Sequence, residues 1–300
     1  MKKYSLAFLS TISASAAMGQ VMGQAIPIVE YLFSGPNDTL QQSTGMVTDN
    51  GARLSIRDSS NTAAALTAEL GVSGLAGDWA LDFRSAPGTG SNAGGDGPFA
   101  RTDGDLQPVD GLASFTLQGW FNTNIVPTDN MEFFKNVSSS AGFMLKAVND
   151  GALRLYVNGD GGGSAIVSQN KDWAITGEWV FFAVTYDGTS TTDNASFYMG
   201  GINESVALSS TQTLDQGPAL DESNRLVISR RNRPYQGLLD NMRVYGSTGD
   251  ASGVLSMSDL ETVRLTDVTG VPEPSTFAIL AACFSMGFVF WQRKRSRSSS

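Results

Sequence analysis

Trp179-Val180-Phe181-Phe182-Ala183-Val184-Thr185-Tyr186-Asp187-Gly188 decides how the rest of the chain is read. From Trp179 to Tyr186 the run is apolar on both faces of an extended chain. It therefore predicts a strand lying mid-sheet, with packing on each side. Tyr186-Asp187-Gly188 then closes it as a turn, since Asp and Gly tolerate the backbone angles a tight reversal needs.

Working outward, similar runs recur with turn residues between them: Val29 to Phe33, Trp79 to Phe83, Phe115 to Phe121, Phe143 to Val148, Leu153 to Val157, Ala195 to Met199, Arg225 to Ser229 and Gly237 to Tyr245. Their period is two. Phe115, Leu117 and Phe121 share one face while Thr116, Gln118 and Asn122 share the other, as a half-buried antiparallel strand requires. Asn149-Asp150-Gly151 separates two runs as a hairpin signal. Helix is scarce: one turn is predicted at Ser258 to Val263, where Ser258 and Glu261 have capping-box spacing. The fold class is all-β, and the ~245 residues between the two ends suit one large sandwich or barrel as well as two small domains.

Composition removes several kinds of chemistry. The 300 residues include no histidine and one cysteine, Cys283. An imidazole base, a His-ligated zinc and an intramolecular disulfide are all excluded. Only 16% of residues are charged, below the ~25% of ordinary globular chains. Six of the 20 basic residues sit at the two ends, so residues 26–270 hold 14 bases against 28 acids, a net charge of −14. Such a domain repels polyanions as a whole, and nucleic acid is not expected as a partner.

The two ends read as addresses. Lys2 and Lys3 precede an apolar run, Leu6 to Ile12, followed by small residues. This is the order of a secretory signal peptide over residues 1–25, with Ala16, Ala17 and Ala25 all acceptable before the cut. At the other end stand Pro272-Glu273-Pro274, then 15 uncharged residues from Phe277 to Trp291, then Arg293-Lys294-Arg295-Ser296-Arg297. Fifteen is short of the ~20 residues of a spanning helix, and the basic cluster that follows is a stop-transfer charge. Residues 271–300 resemble a PEP-CTERM sorting signal. That resemblance implies an exosortase-type membrane transpeptidase as partner, cleavage near Pro272, Glu273 and Pro274, and a cell-surface or matrix location after transient membrane anchoring. A plain C-terminal anchor is the alternative, and either places residues 26–270 outside the cytoplasmic membrane.

Residues 26–270 resemble the LamG-like, concanavalin A-like jelly-roll family. The resemblance is carried by Trp179 to Gly188, by Phe197-Tyr198-Met199-Gly200-Gly201, by Gln236-Gly237-Leu238-Leu239-Asp240-Asn241-Met242-Arg243-Val244-Tyr245 and by Leu255 to Glu261. Asn241 stands where the family usually has an acid, and Gly201 follows Gly200 where Asn-Gly is usual. The resemblance implies a jelly-roll β-sandwich and ties Asp240 to a bound calcium that clips the terminal strand. The other reading of Asp240 is a buried carboxylate taking backbone hydrogen bonds. Oxygen ligands make calcium the metal the sequence best suits. Asp96-Gly97 and Asp103-Gly104-Asp105 form an acidic glycine-rich stretch that reads as a second, weaker calcium loop or as plain exposed loop.

Glycosidic hydrolysis on such a sandwich needs paired carboxylates, and the E-x-D-x-x-E run that would place them on one strand face does not occur. Asp221, Glu222 and Glu69 read as isolated solvated acids. Trp79, Trp120, Trp173 and Trp179 read as core. Arg230-Arg231-Asn232-Arg233-Pro234-Tyr235 is the single basic cluster along the domain. It predicts a binding loop for acidic polysaccharide, with Arg231 and Arg233 forking onto carboxylates or sulfates and Tyr235 stacking on a sugar, or else local neutralisation of neighbouring acids. The functional expectation is a secreted or cell-surface, non-catalytic binding or matrix protein that recognises extracellular polysaccharide or a surface partner. A divergent carbohydrate-active enzyme on the same fold is the alternative.

Overall fold

The computed structural model describes residues 25–33, 39–49, 51–86, 97–126, 130–148, 151–159, 165–170, 173, 175–222 and 224–270. The expected signal peptide, save Ala25, and the whole sorting segment lie outside these residues. Among the described residues no helix is long and apolar enough to cross a membrane.

Among the described residues sixteen strands form two antiparallel sheets. The first contains β1 (Val29–Tyr31), β4 (Thr67–Ala68), β5 (Ala80–Asp82), β7 (Ser114–Thr123), β12 (Val180–Asp187), β13 (Ala195–Gly201), β14 (Ala207–Gln212) and β16 (Gly237–Ser247). They run in the order β14-β13-β12-β7-β16-β5-β4, with β1 also paired to β16. The second contains β2 (Leu40–Gln41), β3 (Leu54–Arg57), β6 (Phe99–Thr102), β8 (Met131–Val137), β9 (Gly142–Val148), β10 (Ala152–Val157), β11 (Ala165–Val167) and β15 (Val227–Ile228). Its order is β11-β10-β9-β8-β15-β6-β3-β2. This is the all-β fold expected from the strand pattern, and the two-sheet sandwich that the family resemblance implies. The deciding run, β12, lies inside its sheet between β7 and β13.

The double-sided apolarity of β12 has two causes. Val180, Phe182, Val184 and Tyr186 point into the main core between the sheets, which gathers residues from Ile28 to Val244. There Phe133 of the second sheet packs on Phe121, Phe182 and Tyr235 with ring centroids 5.1–5.5 Å apart. Phe181 and Ala183 point the other way, into a smaller cluster with Trp120, Tyr245, Leu260 and Val263. Each large apolar side chain so buried is worth about 1.5–3 kcal/mol.

Leu260 and Val263 belong to α1 (Met257–Thr269), which covers the outer face of the first sheet. The single turn expected at Ser258 to Val263 is thus a helix of 13 residues. Its cap is Ser256, not Ser258: Ser256 Oγ accepts from Asp259 N, and the Asp259 carboxylate accepts from Ser256 N. The helix ends at Gly270, whose φ of 56° suits glycine.

β16 carries a bulge between Asp240 and Arg243. Asn241 sits there at φ 48°, a left-handed conformation that Asn adopts more readily than most residues. This gives a local backbone reason for amide in place of acid at that position.

Candidate functional site

The outer face of the second sheet has no helix upon it among the described residues. Its side chains follow from register. Across one row, Ser55 pairs with Arg101, Arg101 with Val227, Val227 with Lys135, Lys135 with Met144, and Met144 with Tyr156. In the next row Arg57 pairs with Phe99, while Glu132 pairs with Lys146 and Lys146 with Arg154. Facing partners in an antiparallel pair share a face. Since Phe143, Leu145 and Ala147 fill the core, their alternates Met144 and Lys146 point outward, together with every residue of those rows.

The result is a concentration of positive charge. Arg53, Arg57, Arg101, Lys135, Lys146, Arg154, Arg225, Arg230 and Arg233 lie on this face or at its margin, nine of the 14 bases between residues 26 and 270. The described acids that meet them are Asp103 and Glu132. Asp103 takes Arg53 Nε at 2.8 Å and the Ser55 hydroxyl. Glu132, fully buried, takes Arg230 Nη1 at 3.3 Å and has Arg233 Nη1 at 4.0 Å.

Lys146 Nζ lies 4.4 Å from the centre of the Tyr156 ring, and Arg154 Nη1 donates to Tyr156 Oη at 3.2 Å. Burial works to raise the Tyr156 phenol, but its hydrogen bonds from Arg154 and Lys146 outweigh that and lower its pKa. Arg57 Nε, Arg101 Nε, Arg154 Nε and Glu132 Oε2 are buried without a hydrogen-bond partner. Four such atoms on one face are uncommon in a finished protein interior, where buried polar groups are nearly always paired. The two acids are not a free catalytic pair: Asp103 is tied to Arg53, and one Glu132 oxygen is tied to Arg230.

The sequence-predicted loop is one edge of this larger surface, so the conclusion that Arg230 to Arg233 is the single basic place in the domain is corrected. Strands far apart in the chain contribute one cation each, and no linear run reveals them. Arg231 is exposed and donates from Nε to the Ser59 carbonyl at 2.9 Å. Arg233 faces Glu132. Tyr235 is corrected as well: it is 1% exposed and packs on Phe133 in the core. Its ring cannot stack on a sugar from there. Tyr156, the phenol on the basic face, is itself buried at 4% exposed, packed with Met144 and Val137.

Asp240 is fully buried. Its Oδ2 accepts from Val72 N at 2.9 Å and its Oδ1 from Asn241 N at 2.8 Å. Burial first, then the negative charge of Asp78, push its pKa well above the usual carboxylate range. Asp78 is half-buried and its Oδ2 accepts from Ser73 N at 2.8 Å and Ser73 Oγ at 2.6 Å; a hard cation would relieve the repulsion between the two carboxylates. To that extent the residues fit calcium, as two carboxylates. No cluster of three acidic, His or Cys ligands occurs among the described residues. Asp103 is engaged by Arg53 and Ser55, and Asp96 lies outside the described residues.

Trp120 and Trp173 are buried, and Trp179 packs against the small cluster under α1, which agrees with their reading as core. Asp221 lines an open cleft of about 370 Å³ with Gln107, Asp110 and Gly111. Asp110 there is pushed up to about 7 by burial and by the charges of Asp105 and Asp221.

Comparison with known proteins extends these observations. The family model described as the concanavalin A-like lectin/glucanases superfamily (Laminin G 3) matches residues 93–254. Among solved structures, domain 4 of AbnA, a GH43 extracellular arabinanase from Geobacillus stearothermophilus, in complex with arabinotriose, is 15% identical. It covers 81% of this chain and 100% of that domain, with a TM-score of 0.55. The binding domain of botulinum neurotoxin DC, in complex with rat synaptotagmin II, is 8% identical over 79% of this chain and 51% of its own, with a TM-score of 0.49. A native heptameric SAP-like pentraxin from Limulus polyphemus is 15% identical over 60% of this chain and 79% of its own, with a TM-score of 0.43. Likeness at such identity is one of fold. No curated protein matches the chain.

Proposed function

The chain belongs to the concanavalin A-like lectin/glucanases superfamily, and from that membership we propose that it is an exported, non-catalytic module that binds extracellular polysaccharide on the outer face of its second sheet. One observation carries the reading: most of the cations of an acidic domain are gathered on the face that α1 does not cover. A sheet face gives a long, shallow, fixed surface, which suits a polymer better than a small molecule. Fold alone does not assign a function; the side chains on this face are what support one. On this face the acids Asp103 and Glu132 are engaged by arginines, which favours binding over hydrolysis there. Arg231 and Arg233 flank the same surface and are proposed to extend it.

The test is calorimetric titration of the protein with neutral and acidic polysaccharides. Replacing Arg154 and Arg233, both partly exposed, by alanine is expected to weaken binding at least several-fold, and Tyr235→Phe to leave it unchanged. Added salt should weaken binding of acidic polymers, since exposed charges are screened over ~8 Å at physiological ionic strength. Binding that ignores Arg154 and Arg233 would move the site elsewhere.

The same proposal includes the two addresses. Export by residues 1–25 and sorting through Pro272, Glu273 and Pro274 by an exosortase-type enzyme would deliver the domain to the surface or matrix where such polymers lie. Calcium is proposed at Asp240 with Asp78, where it would neutralise the two carboxylates and tie residues 69–78 to β16.

A further inference from the structure

We propose that Arg57, Arg101 and Arg225 form an anion subsite on the second sheet, taking a carboxylate or sulfate substituent of the bound polymer. The inference rests on the reading of that face as the polysaccharide surface and adds to it the chemical class of ligand.

The three arginines come from three different strands or their extensions. Arg101 is central on β6. It pairs in register with Ser55 on one side and Val227 on the other, while Arg57 lies two residues beyond Ser55 and Arg225 two residues before Val227. All three positions therefore share the outward face, Arg57 and Arg225 lying on opposite diagonals from Arg101. Neighbouring strands are about 4.8 Å apart, within the reach of guanidinium side chains converging on one group.

Their hydrogen-bonding capacity is largely open. Arg57 Nη1 donates to the Asn61 carbonyl at 2.9 Å, but Arg57 Nε and Arg101 Nε are buried with no partner. No ion pair to Arg57, Arg101 or Arg225 is formed among the described residues. The neighbouring acid, Asp103, is instead held by Arg53 Nε at 2.8 Å and by the Ser55 hydroxyl. Arg101 also lies over Phe99, its guanidinium carbon 5.7 Å from the ring centre. This contact fixes the plane without using a hydrogen-bond donor.

The arrangement is unfavourable in the free protein. Burial, and then the charges of Arg225 and Arg57, hold the Arg101 guanidinium below its usual pKa. Guanidinium presents a planar fork of donors that matches carboxylate or sulfate oxygens. An anion at this point would supply both the missing acceptors and the missing negative charge. Groups held at a cost to stability are a recurring mark of function.

The experiment titrates the full chain and Arg101→Gln with four probes: oligogalacturonate, its methyl ester, dextran sulfate and dextran. Each protein is also melted in ligand-free buffer. The wild type is expected to prefer the anionic member of at least one pair by about tenfold, the size of effect a charge-assisted hydrogen-bonded anion gives. Which pair shows the preference separates carboxylate from sulfate. Arg101→Gln should erase the preference while leaving the melting temperature unchanged or higher, because it removes repulsion.

A melting temperature that falls, with the preference intact, would make Arg101 structural and overturn the subsite. Equal binding of charged and neutral members would overturn the subsite and leave the polysaccharide face standing. Absence of binding to all four would overturn both. A single-stranded oligonucleotide is the fifth arm, and tighter binding to it than to either anionic saccharide would reassign the cluster to nucleic acid and overturn the proposal.

Discussion

Arg243 and Asp267 meet through two parallel hydrogen bonds, Nη1 to Oδ2 at 2.9 Å and Nη2 to Oδ1 at 2.7 Å, and through them β16 grips the last turns of α1. Trp120 Nε1 donates to the same Asp267 carboxylate at 2.8 Å, and Arg243 Nε donates to Glu30 of β1. Burial opposes the Arg243 charge, but Asp267 and Glu30 outweigh it and raise its pKa well above the ordinary guanidinium value. Four elements, β1, β7, β16 and α1, are thereby joined behind the first sheet.

Asp267→Ala leaves Glu30 as the one carboxylate on the buried Arg243, beside the neutral acceptors Gln118 Oε1 and Asn241 O, and frees the Trp120 N–H. Breaking one side of a buried pair is expected to destabilise by about 3–5 kcal/mol. Urea unfolding should show this as a lower midpoint. Replacing Arg243, Glu30 and Asp267 together by apolar residues of similar volume should cost much less, since it removes the buried charges instead of orphaning one.

Calcium binding at Asp240 and Asp78 would stabilise the folded state by mass action, by about 2.7 kcal/mol at a hundredfold excess over Kd. The expected result is a melting temperature higher in millimolar calcium than in chelator, with the difference lost in Asp240→Asn. Identical melting in the two buffers would leave Asp240 as a buried carboxyl serving Val72 and Asn241.

Asp110 gives a pH dependence of definite sign. In the folded protein its pKa stands at about 7, whereas an unfolded chain titrates aspartate at about 3.9. Between those values the native state binds more protons than the unfolded one, so this group lowers stability as pH rises through the window. Asp110→Asn keeps an acceptor for Asn136 and removes the repulsion from Asp105 and Asp221. It should raise the melting temperature at pH 8, leave it unaltered at pH 4, and flatten the slope between.

Sorting makes a prediction about mass. In a host carrying an exosortase-type enzyme, the mature surface protein should end near Pro272, and Glu273→Ala should retain the tail. Intact-mass spectrometry reads both, and a wild-type surface form that still ends in Ser300 would refute the sorting signal.

The first sheet was the more legible of the two. Its central strands β7, β12 and β16 are long and bury both faces, so Phe115 to Phe121, Trp179 to Tyr186 and Gly237 to Tyr245 announce themselves by apolar content. Strands β3, β6 and β8 do not. Leu54-Ser55-Ile56-Arg57 and Phe99-Ala100-Arg101-Thr102 are short and carry their cations in the alternating pattern that also marks loops. In Met131 to Val137 a bulge between Glu132 and Phe134 breaks the period of two. The binding face was hidden for the same reason, since its charges enter one per strand and are assembled by register alone. Tyr235 misled because adjacency to arginines in sequence says nothing of which way a ring turns at the start of a strand. Asp240 admits two readings in the sequence because a carboxylate that accepts from backbone N–H groups, as this one does from Val72 and Asn241, carries no linear mark that separates it from a cation ligand.

α1 also governs how the domain can be presented. β1 at the start of the described chain and Gly270 at its end both belong to the first sheet or to the helix lying on it. The sandwich thus has a back, from which both ends of the chain depart, and a front, where the basic rows lie. On the proposed reading, a molecule held beyond either end of the described chain would offer its front outward, with the proposed attachment and capture on opposite sides.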